Sequence, residues 1–243
     1  MKTITHNVAA FGKLVGLATQ EGDFYQPTNP AIERTALQAL LEEAQKSITA
    51  VHKAESDLER AINSRQRAFE DLPLLATRIT AVAASCGMSN DHLEDLKRIR
   101  MKLRSQPFAR DQNSPANGAP LGSPLPSAEL IRRNRQLGFD NKLITFTAFV
   151  KRLENEPAYS SSDPQFSIDG LKALIAALQA HMNEVNACVA VLQQARQTCN
   201  SVVFDQQVGI YGIAWKVKQH FLGQFGTRSE KYVPFRRVKF STR

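Results

Sequence analysis

Apolar residues recur along this chain in alternating steps of three and four. Between Thr35 and Phe69 they fall at Ala44, Ile48, Val51, Leu58, Ile62 and Phe69, with Glu55 and Arg65 interrupting the stripe in step. A second stripe runs through Leu178, Met182, Val185, Val189, Leu192, Cys199 and Val203, interrupted at Arg196. Such spacing is the seam of helices packing at a shallow angle, as in bundles and coiled coils. Each stripe predicts a helix of about 35 residues, a rod near 50 Å at 1.5 Å per residue. A rod with one apolar face is stable only when neighbours cover that face.

The two stripes are related by a shift of 134. Pro30 meets Pro164, Leu37 meets Leu171, Gln45 meets Gln179, Val51 meets Val185 and Leu58 meets Leu192. With a slip of one residue, Phe11 meets Phe146, Val15 meets Val150 and Phe69 meets Phe204. The loops also correspond, Phe24 to Pro30 against Tyr159 to Pro164. Asn29 and Asp163 each precede a proline, the arrangement of a helix N-cap with proline at the first helical position. The sequence therefore predicts an all-α, elongated bundle of two tandem copies, each a short helix, a loop, a long helix and a further helix. Residues 1–104 form the first copy and 128–243 the second. The stretch 105–127, rich in Pro, Gly, Ser and Asn, reads as a mobile linker. Because neither copy has many long helices, one bundle drawn from both is the favoured arrangement.

Beyond the first stripe, Pro73 ends or kinks the helix, and Leu75, Ile79 and Val82 continue to Gly87. Ser89, Asn90 and Asp91 offer caps for a helix through Leu93, Leu96, Ile99 and Leu103. In the second copy Ile213, Val217 and Phe221 share a face of a helix from Ile210 to Phe225, closed by Gly226. The segment Tyr232 to Phe240 is short enough to be extended.

Composition changes this picture in one respect, the placing of charge. The 243 residues hold 31 Lys and Arg against 23 Asp and Glu, a net charge of +8. Twelve of these cations lie in three segments free of acids: Lys97, Arg98, Arg100, Lys102 and Arg104; Arg132, Arg133 and Arg135; and Arg236, Arg237, Lys239 and Arg243. The remaining 19 basic residues face all 23 acidic ones, so the body of the chain is mildly acidic, at −4. On a helix, Lys97, Arg100 and Arg104 lie opposite Leu96, Ile99 and Leu103, so the first segment reads as a solvated face that can also meet an anionic partner. Phe235 and Phe240 interleave with the last segment in a way that suits RNA.

No constellation of catalytic residues emerges. His52 and Glu55 resemble half of a carboxylate-bridged di-iron site, but in reversed order, and the second copy has Asn186 and Val189 there; they read as a surface pair. No phosphate-binding glycine loop, dinucleotide fingerprint or nucleophile elbow is present, and Gly209 and Gly212 form only a lone glycine pair. No stretch of 18 apolar residues and no secretory leader stand out. Cys86, Cys188 and Cys199 read as unpaired, buried small hydrophobes, which predicts a reducing, cytoplasmic setting. Neither cofactor nor metal nor small-molecule substrate is expected.

The stretches Phe24-Tyr25-Gln26-Pro27-Thr28-Asn29, Leu37-Gln38-Ala39-Leu40-Leu41 and His220 to Ser229 resemble a group of uncharacterised two-repeat helical proteins common in the Bacteroidota. The likeness takes in most of the chain outside the linker, with Lys231-Tyr232 and Lys239-Phe240 in the places of a basic-aromatic end. It implies a helical duplication and carries no activity. The expectation is a non-catalytic bundle acting through protein–protein interaction or self-assembly. The alternative is a non-sequence-specific nucleic-acid or ribosome-associated protein that uses the three cationic segments.

Overall fold

Both long helices start from the same local chemistry. Asn29 accepts a hydrogen bond from the Ala31 amide at 3.0 Å, and Asp163 accepts one from the Gln165 amide at 2.9 Å. These Asx turns hold a single turn of chain before each long helix and do not cap the helix itself, which begins several residues later. Within each loop a buried tyrosine latches the turn: the Tyr25 hydroxyl donates to the Ile32 carbonyl, and the Tyr159 hydroxyl donates to the Phe166 carbonyl at 2.6 Å.

The computed structural model describes residues 2–105 and 128–241, with side chains for 2–104 and 138–241. The elements are α1 (Lys2–Gln20), one-turn 3-10 helices at Gly22–Phe24 and Pro30–Ile32, α2 (Arg34–Glu70), α3 (Leu72–Ser85), α4 (Asn90–Ser105), α5 (Ala128–Glu154), α6 (Ile168–Phe204), α7 (Ile210–Phe225) and α8 (Val233–Arg237). The fold is all-α, and no strand occurs among the described residues. The long helices α2 and α6 each have 37 residues and start 134 positions apart, as do the two tyrosines and the two Asx turns. The linker read at 105–127 lies, but for Ser105, outside the described residues.

Several expectations change in detail. The helix opening the second segment is not short: α5 has 27 residues against 19 for α1. The break expected at Pro73 falls just before it: α2 ends at Glu70, and Pro73 stands in the first turn of α3, where its missing amide costs nothing. The segment after Tyr232 is not extended throughout, since Val233–Arg237 forms α8 around Pro234.

The chain divides into two compact units. The first comprises Met1–Arg60 and Ala187–Arg243, and the second Ala61–Asn186. In the first unit α1 packs on α7 and α8, and α7 also packs on the Pro30–Ile32 turn. Its core includes Phe11, Leu14, Leu37, Val51, Leu192 and Cys199, with Tyr25, Phe221 and Phe235 stacked in sequence at ring separations of 5.0 and 3.8 Å. In the second unit α4 lies against α3 and α5. Its core holds Phe69, Ile79, Leu96, Leu103, Phe146, Phe149, Leu178 and Met182. The stripe residues of α2 and α6 are buried or half-buried throughout, except Arg196. Gly87 and Gly226, in the left-handed region at φ +79° and +78°, follow α3 and α7 as expected of helix C-termini.

Candidate functional site

The first cationic segment lies on α4. Leu96 and Leu103 point into the core and Ile99 is half-buried, while Lys97, Arg98, Lys102 and Arg104 are exposed and Arg100 is half-buried. Lys97 is tied to Glu94 at 2.8 Å. Arg98 and Lys102 face a different neighbour: with Lys151 and Arg152 of α5 they line a groove of about 420 Å³ floored by Ile99 and Ala148. Asp95 enters the same groove and pairs with Arg152 at 2.5 Å and Arg98 at 3.6 Å, so part of its charge is neutralised from within. Lys151 and Arg152 escaped the sequence reading because they stand next to Glu154 in a stretch with no local excess of cations. Arg132, Arg133 and Arg135 are on α5, and their side chains lie outside the described residues.

The last cationic segment is pinned to α1. The Asn7 carboxamide, 1% exposed, accepts from the Ser241 amide at 2.8 Å and donates to the Ser241 carbonyl at 2.9 Å. Phe235 is buried at 1%, and the Phe240 ring is half-buried with the Lys218 ammonium 5.2 Å from its centroid. The Phe235 ring is therefore not free to stack on a base, whereas Phe240 keeps part of its surface open. Arg237 and Lys239 instead meet His6 and Lys13 of α1 around a cleft of about 410 Å³. Arg236 is exposed, and Arg243 lies outside the described residues. One basic hollow thus lies between α4 and α5 and the other between α1 and the chain around and after α8, a placing that no periodicity within one helix can reveal.

A different surface forms on α7. Its inward face, through Ile213, Val217 and Phe221, is buried as expected. Outward, Trp215 is 61% exposed and Tyr211 36% exposed, and Val208, in the turn just before, is 70% exposed. That turn is tightly built. The Asp205 carboxylate accepts from the amides of Gln207 and Val208 at 2.7 and 2.9 Å, and these bonds hold its carboxyl below the usual range. A Cβ on Gly212 would stand 2.1 Å from the Gln206 carbonyl oxygen, so the glycine pair passed over in the sequence lets the turn close on α7.

The remaining candidate chemistry is sparse. His52 and Glu55 are 3.7 Å apart on an open helix surface, and Glu55 turns to Arg196 at 2.7 Å. No group of three His, Cys, Asp or Glu side chains that could hold a metal occurs among the described residues. The three cysteines are free, Cys199 buried and the others half-buried. His92 is tied to Glu156, which joins α4 to the turn after α5. Beside α3 a pocket of about 400 Å³ is lined by Leu72, Leu74, Leu75 and Leu174, with Asp71 and Arg78 at its edge. Arg78 is held there by the Phe166 ring, 4.8 Å away. No described helix is long and apolar enough to cross a membrane. The chain matches no protein-family model, no curated protein and no solved structure.

Proposed function

We propose that this protein is a non-catalytic helical module that works by docking protein against protein, in its simplest form by self-association through the outward side of α7. The observation that carries the reading is Trp215, the one tryptophan of the chain, 61% exposed beside Val208 at 70% and Tyr211 at 36%. A single exposed apolar residue is ordinary, but an indole and a phenol one turn apart on one helix are the side chains enriched at interface centres, and Val208 extends the apolar surface in the entry turn. The rigid Asp205 turn keeps Val208 in place and lowers the ordering cost of docking.

The test uses the indole itself. Light scattering after size exclusion, across a wide concentration series, is expected to show mass rising with concentration while Trp215 emission moves to the blue. Trp215→Ser is expected to keep the chain monomeric. A monomer at every concentration with unchanged emission would overturn self-association.

The same reading treats the chain as two tandem copies of one unit. Equal helix lengths, paired tyrosine latches and paired Asx turns at a constant offset of 134 support it. A second functional reading, non-sequence-specific nucleic-acid binding, is favoured by the groove between α4 and α5, where four cations meet one carboxylate. Retention on RNA or duplex DNA that weakens steeply with salt, and that falls in Arg98→Glu with Lys102→Glu, is its expected signature. Retention that ignores salt, or none at all, would exclude it.

A further inference from the structure

Along one face of α1 the sequence places His6, Ala9, Ala10 and Lys13, spaced so that the two basic residues stand two helical turns, about 10 Å, apart with alanines between them. Opposite them run Pro234, Arg237, Val238 and Lys239. The resulting cleft has basic rims and a floor of alanine, proline and valine; no carboxylate lines it, and the ring on its described wall is the imidazole of His6. Lys13, Arg237 and Lys239 are all exposed and form no ion pair among the described residues. The tail cannot drift away to relieve their mutual repulsion, because Asn7 holds Ser241 through two hydrogen bonds, Lys218 donates to the Val238 carbonyl, and Phe235 is sunk in the core. Charge is therefore gathered here with no ion-pair partner among the described residues, whereas in the groove between α4 and α5 Asp95 supplies one.

From this geometry we infer that the cleft between α1 and the C-terminal tail binds an acidic peptide segment of a partner protein, with small aliphatic side chains on the floor and carboxylates at both rims. The inference rests on the protein-docking reading and names the chemistry of one partner. The floor decides between polyanions. A nucleic-acid strand presents phosphate and sugar along its length, and the apolar floor of Ala9, Ala10, Pro234 and Val238 is a strip that phosphate would desolvate without gain. An acidic strand with alternate Ala or Val residues satisfies floor and rims together. At about 3.3 Å per residue, the glutamates of such a strand recur about every 6.6 Å on one face, so several fall within the span from His6 to Lys13.

The experiment titrates the full chain into fluorescein-labelled probes followed by anisotropy at low salt. The probes are a peptide of alternating glutamate and alanine or valine, a polyglutamate of equal charge, and a single-stranded oligonucleotide of equal charge. The alternating peptide is expected to bind tightest. Lys13→Glu with Arg237→Glu is expected to weaken it by about tenfold or more. The milder Lys13→Gln with Arg237→Gln should act in the same direction, and Arg98→Glu with Lys102→Glu should leave it nearly unchanged. Circular dichroism checks that every variant is folded. No peptide binding, equal binding by both Lys13 variants and wild type, or tighter binding of the oligonucleotide would each overturn the inference. Light scattering on the same samples separates it from the docking reading: loss of the peptide with concentration-dependent association intact removes this site alone. Peptide binding that survives where Trp215→Ser and wild type are equally monomeric removes self-association and upholds the cleft.

Discussion

Glu55 and Arg196, the polar residues that interrupt the apolar stripes of α2 and α6 in the first unit, pair with each other across the two helices, Oε1 to Nη2 at 2.7 Å. Both are partly exposed, at 35% and 49%, so water screens the pair and its contribution is small. Removing either side chain as alanine is expected to cost less than about 1 kcal/mol, with a coupling in a double-mutant cycle of about 0.5 kcal/mol that fades in high salt. Glu55→Val, which copies Val189 of α6, should leave stability unchanged or raise it. Urea unfolding at low and high salt measures this. A loss of several kcal/mol on Glu55→Ala would mean that the pair sets the helix register.

The tyrosine latches give a second expectation. Tyr25 and Tyr159 are buried at 2% and 8% exposure, and each hydroxyl serves a loop carbonyl seven residues on. Replacement by phenylalanine keeps the ring in place and leaves that carbonyl without its donor, at a cost of about 1–2 kcal/mol in each case. If the loops are copies of one design, Tyr25→Phe and Tyr159→Phe should cost similar amounts in denaturant unfolding. A large inequality would mean that only one loop depends on its latch.

What the sequence made legible is what depends on spacing within one helix. The first stripe located α2 to within a residue at each end and the second located the end of α6, because burial of every third or fourth side chain leaves a periodic record. Gly226 marked the end of α7 for a similar reason, since a positive φ is needed there. Which helices become neighbours is not recorded that way. His6 and Lys13 are unremarkable on α1 until Asn7 fastens the tail beside them, and Lys151 and Arg152 look neutralised until α4 brings Arg98 and Lys102 alongside. Trp215 was illegible for the opposite reason: aromatic residues are assumed to face inward, and only the packing of Ile213, Val217 and Phe221 shows that it faces out. Of the two phenylalanines in the tail, Phe235 is taken up by the core, which no spacing of the short tail records.

Burial separates two kinds of titration. Lys142, 2% exposed, is pushed down from the usual 10.5 to about 8 by desolvation. Below pH 8 it is charged in both states, and the fold bears the cost of burying that charge. Between about 8 and 10.5 the folded group is neutral while the unfolded one is still charged, so stability rises across this window. Tyr25 and Tyr159 are pushed up from 10 to about 12, again by desolvation. Both are neutral below pH 10, and between 10 and 12 the unfolded phenols ionise first, so stability falls. The unfolding free energy is expected to peak near pH 10 and not at neutrality. Lys142→Met should remove the rise. Denaturant unfolding across pH 7–11 checks both, and a flat profile up to pH 10 would contradict the burial of Lys142.

Two glycines of α7 should respond to alanine with opposite signs. At Gly223 a Cβ would meet nothing within 4 Å, so Gly223→Ala should gain the roughly 0.5–1 kcal/mol by which alanine outranks glycine in a helix. At Gly212 the same gain is overwhelmed, because the Cβ would lie 2.1 Å from the Gln206 carbonyl oxygen and 2.4 Å from its carbon. Those atoms are backbone and cannot rotate away. The turn that carries them is held by the Asp205 carboxylate on the Gln207 and Val208 amides, so it must break or α7 must shift. Gly212→Ala is expected to lose about 2 kcal/mol or more and to shift the turn that carries Val208. Thermal unfolding of the two variants, with Trp215 emission as a local reporter, reads both effects. Equal stabilisation would mean that the Asp205 turn is not seated on α7. A lowered melting temperature with altered emission for Gly212→Ala alone ties the exposed indole to the turn that supports it.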